Sequence, residues 1–225
     1  GSKSTGGRQG CAMRSPSESA FAPDADPVAY SAHALHDAAR DWPQTNCYVD
    51  LWIEAIHARG LPPEAMLGFT ATLDFEGDQF TFFKPPLEDI ETLYGFVVHE
   101  LSLYDDIADH ISEQCERGRL AMIETDAFHL PDTRGVSYRL EHSKTTIGVN
   151  RIDPVARSVD YFHNEGYFRA EGADFDGLMA FGSQEGRQKL PPYAEIVKAS
   201  FAPLDDKAMR ECARALLARH LSRRP

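Results

Sequence analysis

The sequence predicts an α+β protein in which N-terminal helices pack on one side of a mainly antiparallel sheet. Three observations carry that expectation. Apolar residues recur at helix-like spacing through most of the first half of the chain, and from Arg119 onward they mostly alternate with polar ones, the period of a half-buried strand. The stretch "NRIDPVAR" joins two alternating runs at hairpin length, so those strands run antiparallel. The 225-residue chain is 42% hydrophobic and 10% aromatic, which is enough for one sizeable core and is not the profile of a disordered polymer. The expected organisation is a flexible arm over 1–27, a main domain over 28–183 and a C-terminal helical extension over 184–225.

Residues 1–27 are rich in Gly, Ser, Pro and Ala and show little period. "VAYSAHALHDAARD" has the spacing of a short helix. Pro43 breaks what precedes it, and Thr45 or Asn46 can cap a new helix. From Cys47, the apolar residues Val49, Leu51, Trp52, Ile53 and Ile56 predict a strongly buried helix. Gly60 ends it, and Pro62 and Pro63 forbid continuation. "PPEAMLGF" predicts a second short helix, and "DQFTFFKPP" a strand stopped by Pro85 and Pro86. "LEDIETLYGFVVHEL" reads as one amphipathic helix with an acidic first turn, and "YDDIADHISEQCERG" as another, ended by Gly118. "RLAMIETDAFHLPDT", "GVSYRLEHSKTTIGVNRID" and "ARSVDYFHNEGYFRA" supply the strands. Residues 184–225 read as helix again.

Composition excludes several function classes. A net charge of −12 argues against nucleic acid as partner, because phosphate neutralisation needs clustered cations. The basic stretch "RECARALLARHLSRRP" reads as a solvated helix face. No run of 18 apolar residues is present, which argues against a membrane-spanning helix, and the start lacks the apolar core of a signal peptide; the expected compartment is the cytoplasm. The four cysteines, Cys11, Cys47, Cys115 and Cys212, are far apart. They form neither a CxxC pair nor a zinc cluster, so no metal site and no disulfide framework is expected. "VVHEL" is half of HExxH, with Leu103 where the second histidine belongs. No Walker loop or GxGxxG appears.

The chemistry that remains centres on Cys47. A thiol in the first turn of a helix sits beside unpaired backbone N–H groups and the positive end of the helix dipole, and both favour the thiolate. The same N–H groups can hold a developing oxyanion, with Gln44 and Asn46 as candidate side-chain donors. A thiolate needs a base and the base an orienting acceptor. His142 opens the strand "HSKTTIGV", and Asp160 lies in the next strand. His163 with Asn164 competes with that pair, and Asp153 competes with Asp160. Asp126 and His129 in "TDAFHLPD" read as a satisfied strand end, and Cys115 as a packing residue.

The stretches "TNCYVDLWIE", "FEGDQFTFFKPP", "ETDAFHLPDT", "YRLEHSKTTIGVNRID" and "DYFHNEGYF" together resemble a bacterial family catalogued as a domain of unknown function, whose genes often lie beside amino acid:carrier-protein ligases. The resemblance covers roughly residues 30–225. More distantly, the order helix-Cys, strand-His, strand-Asp resembles papain-like cysteine enzymes, especially the bacteriocin-leader peptidases and the butirosin-biosynthesis acyltransferase. What the resemblance implies is a papain-like catalytic domain over 28–183 with Cys47 as nucleophile, His142 as base and Asp160 as orienter. The implied activity is a cysteine acyltransferase that takes an aminoacyl group from a carrier-protein phosphopantetheine thioester, through a Cys47 acyl-enzyme, to a small amine acceptor. It implies no tightly bound cofactor; the phosphopantetheine arm of the partner aminoacyl carrier protein is substrate. Gln44 departs from the peptidase pattern, in which the oxyanion glutamine lies further upstream. The same residues would serve a thioesterase or cysteine peptidase, and a non-catalytic carrier-protein-binding protein would keep the surface without the chemistry. Phe80, Phe82, Phe83, Tyr161 and Tyr167 are candidates to line an acyl or pantetheine channel, with core packing the commoner role for such residues. Lys144, Arg139, Arg151 and the C-terminal arginines are the cations available to an acidic carrier.

Overall fold

The structure, a computed structural model, describes residues 20–41, 45–103, 106–180 and 192–223. Six strands, β1 (Phe96–Leu101), β2 (Leu120–Asp126), β3 (Lys144–Asp153), β4 (Ser158–His163), β5 (Gly166–Glu171) and β6 (Ala194–Ala199), form one sheet in the order β1-β6-β2-β3-β4-β5. Every neighbouring pair is antiparallel. The α-helices are α1 (Cys47–His57), α2 (Leu87–Tyr94), α3 (Ile107–Glu116), α4 (Ala173–Met179) and α5 (Asp206–Leu221). The fold is therefore α+β with an antiparallel sheet. No helix among the described residues is long and apolar enough to cross a membrane.

Strand alternation sorts the apolar side chains onto two pleats. Leu120, Met122, Phe162 and Val197 pack with Val49, Leu51, Trp52 and Ile56 of α1, with Ile90 and Leu93 of α2, and with Met209 of α5. Ala121, Ile123, Ile147, Val149 and Val159 pack with Ile107, Ile111 and Cys115 of α3 and with Phe175 and Leu178 of α4. Helices thus cover both faces, which corrects the expectation of helices on one side. Strands with apolar residues on both pleats cannot leave either pleat in water.

α1 crosses the middle of the first face, and every residue from Tyr48 to Ile56 is buried. Gly148 of β3 permits the approach: a Cβ there would stand 3.2 Å from a Leu51 methyl carbon.

Several elements depart from the sequence expectation. "LEDIETLYGFVVHEL" is not one helix. Gly95 takes a left-handed conformation (φ 71°), closes α2 and turns the chain into β1. The expected helical extension over 184–225 begins, within the described residues, as a strand: β6 lies between β1 and β2, one strand in from the edge of the sheet, and only α5 is helical. Part of the expected flexible arm is core. Phe21 and Ala22 are fully buried, and the Ala22 N–H and C=O exchange hydrogen bonds with the Asn150 side chain at 2.8 and 3.0 Å. Arg151 reaches the carbonyls of Pro23 and Ala25. Residues 28–41 hold only a 3-10 turn at Ala34–His36, Pro63–Thr72 is a 3-10 helix, and "DQFTFFKPP" contributes a single bridge, Phe75 to Phe80.

Candidate active site at the start of α1

Cys47 is the first residue of α1. It is a free thiol and is partly exposed at the head of an otherwise buried helix. Asn46 precedes it in extended conformation, and its Oδ1 accepts the N–H groups of Tyr48 (3.1 Å) and Val49 (3.0 Å). The Cys47 N–H, at the first helical position, has no acceptor within the helix. Asn46 was expected as an oxyanion donor; instead its Oδ1 caps the helix and its Nδ2 donates to the Phe83 carbonyl at 2.9 Å. It ties the helix start to the loop ahead of α2. Gln44 lies outside the described residues.

The approach to Cys47 is pinned from below. Asp50 accepts the Thr45 N–H (3.0 Å) and hydroxyl (2.7 Å). Asp50 and Glu54, one turn apart on α1, are 2% and 0% exposed. His36 sits between them, with Nδ1 on Glu54 and Nε2 3.5 Å from Asp50. Glu54 also accepts the Tyr30 hydroxyl (2.6 Å) and the His33 N–H (3.0 Å). Burial alone would lower the His36 pKa; the hydrogen bonds and charges of Asp50 and Glu54 outweigh it and raise the pKa to about 9. His36 is therefore an imidazolium at neutral pH.

Next to Cys47, the Tyr48 hydroxyl donates to Glu195 Oε2 at 2.8 Å. Tyr193 donates to Oε1 at 2.8 Å, and Lys84 Nζ lies 3.3 Å from Oε1 and 4.5 Å from the centre of the Tyr48 ring. Burial and the Glu195 charge keep the Tyr48 phenol protonated, so it remains the donor. Glu195 on β6 pairs in register with Met122 on β2. Along β2 the pleat carrying Met122 continues through Glu124, which holds Lys144 at 2.7 Å, to Asp126. A polar strip thus runs along the α1 face of the sheet from Glu195, under the helix start, to the end of β2.

His142 stands at the far end of that strip. Its side chain is 72% exposed, its ring stacks on Phe128 at 4.4 Å, and its Nδ1 lies 2.5 Å from Asp126 Oδ2. Asp126 also accepts the Phe128 N–H at 3.0 Å. Burial opposes its charge, but the hydrogen bonds from His142 and Phe128 and the His142 charge hold the carboxyl below the ordinary range. With Nδ1 committed to Asp126, Nε2 is the nitrogen that faces any reacting group.

The expected partner Asp160 is elsewhere, which corrects the His142–Asp160 pairing. Asp160 lies opposite Arg151 near the far end of β3, and Arg169 grips it through Nε (2.6 Å) and Nη2 (2.9 Å). From Lys144, two residues beyond His142, to Arg151 the strand spans about 23 Å at ~3.3 Å per residue. The hairpin register therefore separates the two side chains, whereas β2, the neighbour on the other side of β3, ends beside His142. Asp153 accepts N–H groups within its own turn, and Asn164 sits in the β4–β5 turn with φ 44°. His163 points to the opposite pleat, among the side chains that pack on α3 and α4. The cue for Asp126 was present in "TDAFHLPD" as a strand-end carboxylate. Glu195 carried no cue, because its segment reads as helix.

A separate cleft of about 560 Å³, lined by His33, His57, Glu64, Asp206 and Arg210 among others, opens at the C-terminal end of α1. It is about 15 Å along the helix from Cys47 at ~1.5 Å per residue, so it is not the thiol's pocket.

A search of curated proteins finds no match. The family model described as the DUF1839 N-terminal domain matches residues 31–199, more than half of the chain. That span takes in His36, Cys47, Asp126 and His142 and ends with the last residue of β6. The chain belongs to the DUF1839 N-terminal domain family, a bacterial family of unknown function.

Proposed function

We propose that this chain is a cysteine acyltransferase that takes an aminoacyl group from a carrier-protein phosphopantetheine thioester and passes it to an amine. The observation that carries this reading is Cys47: a partly exposed thiol at the first position of a buried, capped helix, with its own N–H outside the helix's hydrogen-bond ladder, on the face of the sheet that also carries His142 and Asp126. A helix bearing a cysteine at its N-terminus and laid across an antiparallel sheet that ends in a histidine is also the plan of papain-like enzymes, and it supports placing the chain with them. Helices on the second face and a carboxylate from β2 are the departures.

In the proposed reaction Cys47 passes its thiol proton to His142 Nε2, and the thiolate attacks the thioester carbonyl and forms a new C–S bond. The Cys47 N–H and the α1 dipole stabilise the oxyanion. The pantetheine C–S bond breaks, and its sulfur takes a proton from His142 Nε2. The acceptor amine then attacks the acyl-Cys47 carbon, gives its proton to His142, and releases the Cys47 thiolate. Asp126 holds the His142 tautomer throughout. Thioester exchange onto a thiolate is nearly isoenergetic, which suits this route better than amide cleavage. Lys84 and Lys144, spaced along the polar strip, are two cations on this face for an acidic carrier.

Incubation with radiolabelled aminoacyl carrier protein, followed by denaturing gel and peptide mass spectrometry, tests the reading. Label on Cys47 that disappears in Cys47→Ala supports the acyl-enzyme. Adding amines separates transfer from hydrolysis by a thioesterase or peptidase, which would use the same residues. No label under any condition, with carrier binding intact, would leave a non-catalytic carrier-binding protein.

A further inference from the structure

The face of the sheet remote from Cys47 carries a second constellation. Thr145 Oγ1 lies 2.9 Å from His163 Nε2, and His163 Nδ1 lies 2.6 Å from Asp132 Oδ2. The other Asp132 oxygen accepts the Tyr161 hydroxyl at 2.6 Å. Tyr161 and His163 are 0% and 1% exposed, and the Asp132 side chain 4%.

The hydrogen-bond directions follow from the partners. Burial, and after it the Asp132 charge, hold the Tyr161 phenol protonated, so it donates to Asp132. His163 Nδ1 faces Asp132 Oδ2, so the tautomer with its proton on Nδ1 satisfies that contact. In that tautomer Nε2 carries the lone pair and the Thr145 hydroxyl donates to it. Thr145 is half-buried rather than sealed in. In the β2–β3 register Thr125 stands directly across from Thr145 on the same pleat. Thr125 is fully buried, yet its hydroxyl has no partner among the described residues. A purely structural network would be expected to leave no such orphan beside it. Hydroxyl, base, orienting carboxylate and a spare donor are the parts of a hydroxyl-nucleophile centre.

We propose that Thr145, His163 and Asp132 form a second reactive centre, which accepts an acyl group from small activated esters. Thr145 Oγ1 attacks the ester carbonyl, and its proton passes to His163 Nε2. The ester C–O bond breaks, and the leaving oxygen takes that proton. Water then attacks the acyl-Thr145 carbonyl and gives a proton to His163; the C–Oγ1 bond breaks, Oγ1 takes that proton back, and the carboxylic acid leaves. The centre shares no residue with the Cys47 site and stands or falls independently of it.

The test uses the full chain carrying Cys47→Ala, with 4-nitrophenyl acetate as the acyl donor. Nitrophenolate release and peptide mapping are read together. The expected result is acetyl on Thr145, release slowed about a hundredfold in His163→Gln, the low end of what a positioned base contributes, and no acetyl at position 145 in Thr145→Val. Circular dichroism checks that each variant folds. Should Thr145→Val fail to fold, Thr145→Ser is the deciding variant and is expected to carry the acetyl on the new hydroxyl. Acetylation confined to lysines, or acetylation of Thr145 at an unchanged rate in folded His163→Gln, overturns the proposal.

Discussion

Replacing His36 by alanine should destabilise the protein by an amount that depends on pH. In the native protein His36 lies between the buried carboxylates Asp50 and Glu54 and is raised to about 9 from an ordinary 6.5. A group whose pKa is raised by folding contributes its full stabilisation below the unfolded value, here pH 6.5, and loses it as pH climbs through the folded value near 9. The difference between 9 and 6.5, at 1.36 kcal/mol per unit, gives about 3 kcal/mol. Removing the ring also strands two buried carboxylates on one helix turn, a loss of about 3–5 kcal/mol for a broken buried pair. The measurement is urea unfolding followed by tryptophan fluorescence, wild type against His36→Ala, from pH 6 to pH 10. The stability gap should be widest at pH 6 and narrow by about 3 kcal/mol as pH rises to 10. Wild-type and variant curves that run parallel across this range would refute the reasoning, because His36 would then not be charged in the fold.

The two carboxylates proposed or corrected at the site give opposite outcomes. Asp126→Asn should slow Cys47 acylation about a hundredfold by freeing His142, whereas Asp160→Asn should leave acylation unchanged and cost about 1 kcal/mol, since its Arg169 partner is half exposed. Asn46→Ala should lower stability by about 1 kcal/mol through loss of the cap, read by thermal melting. Burial and the Glu116 charge push the Cys115 thiol up to about 12, so alkylation of the native protein at pH 8 should spare Cys115 and reach it after unfolding.

What could be read from the chain beforehand was local. The start of α1 followed from Asn46, Cys47 and the apolar run behind them, and β2, the β3–β4 hairpin and α3 followed from their periods and punctuation. Sheet order is not a local property. Gly95 looked like one small residue within a helical period, and only its left-handed backbone separates α2 from β1. Asp160 looked like the natural neighbour of His142 because the two lie on consecutive strands, but register assigned Asp160 to Arg151 and Arg169. Asp126 became the partner because β2 also borders β3, a pairing no short window contains. Phe21 and Ala22 joined the core through Asn150, 128 residues away.

Of the six strands, β6 leaves the ribosome last, yet it is not an edge strand. β6 must slot between β1 and β2, pairing Ala199 with Phe96 and Val197 with Leu120. Until residues 194–199 arrive, β1 cannot join the sheet, and β2 presents a raw edge. Glu195, which receives the Tyr48 hydroxyl beside Cys47, comes on that same strand. Synthesis thus delivers the thiol early and its surroundings about 150 residues later, when the strand at 194–199 closes the gap. Long-range closure of this kind is slow, and a chain stalled or cut before β6 would hold an exposed thiol beside two sticky edges, prone to pair with its neighbours.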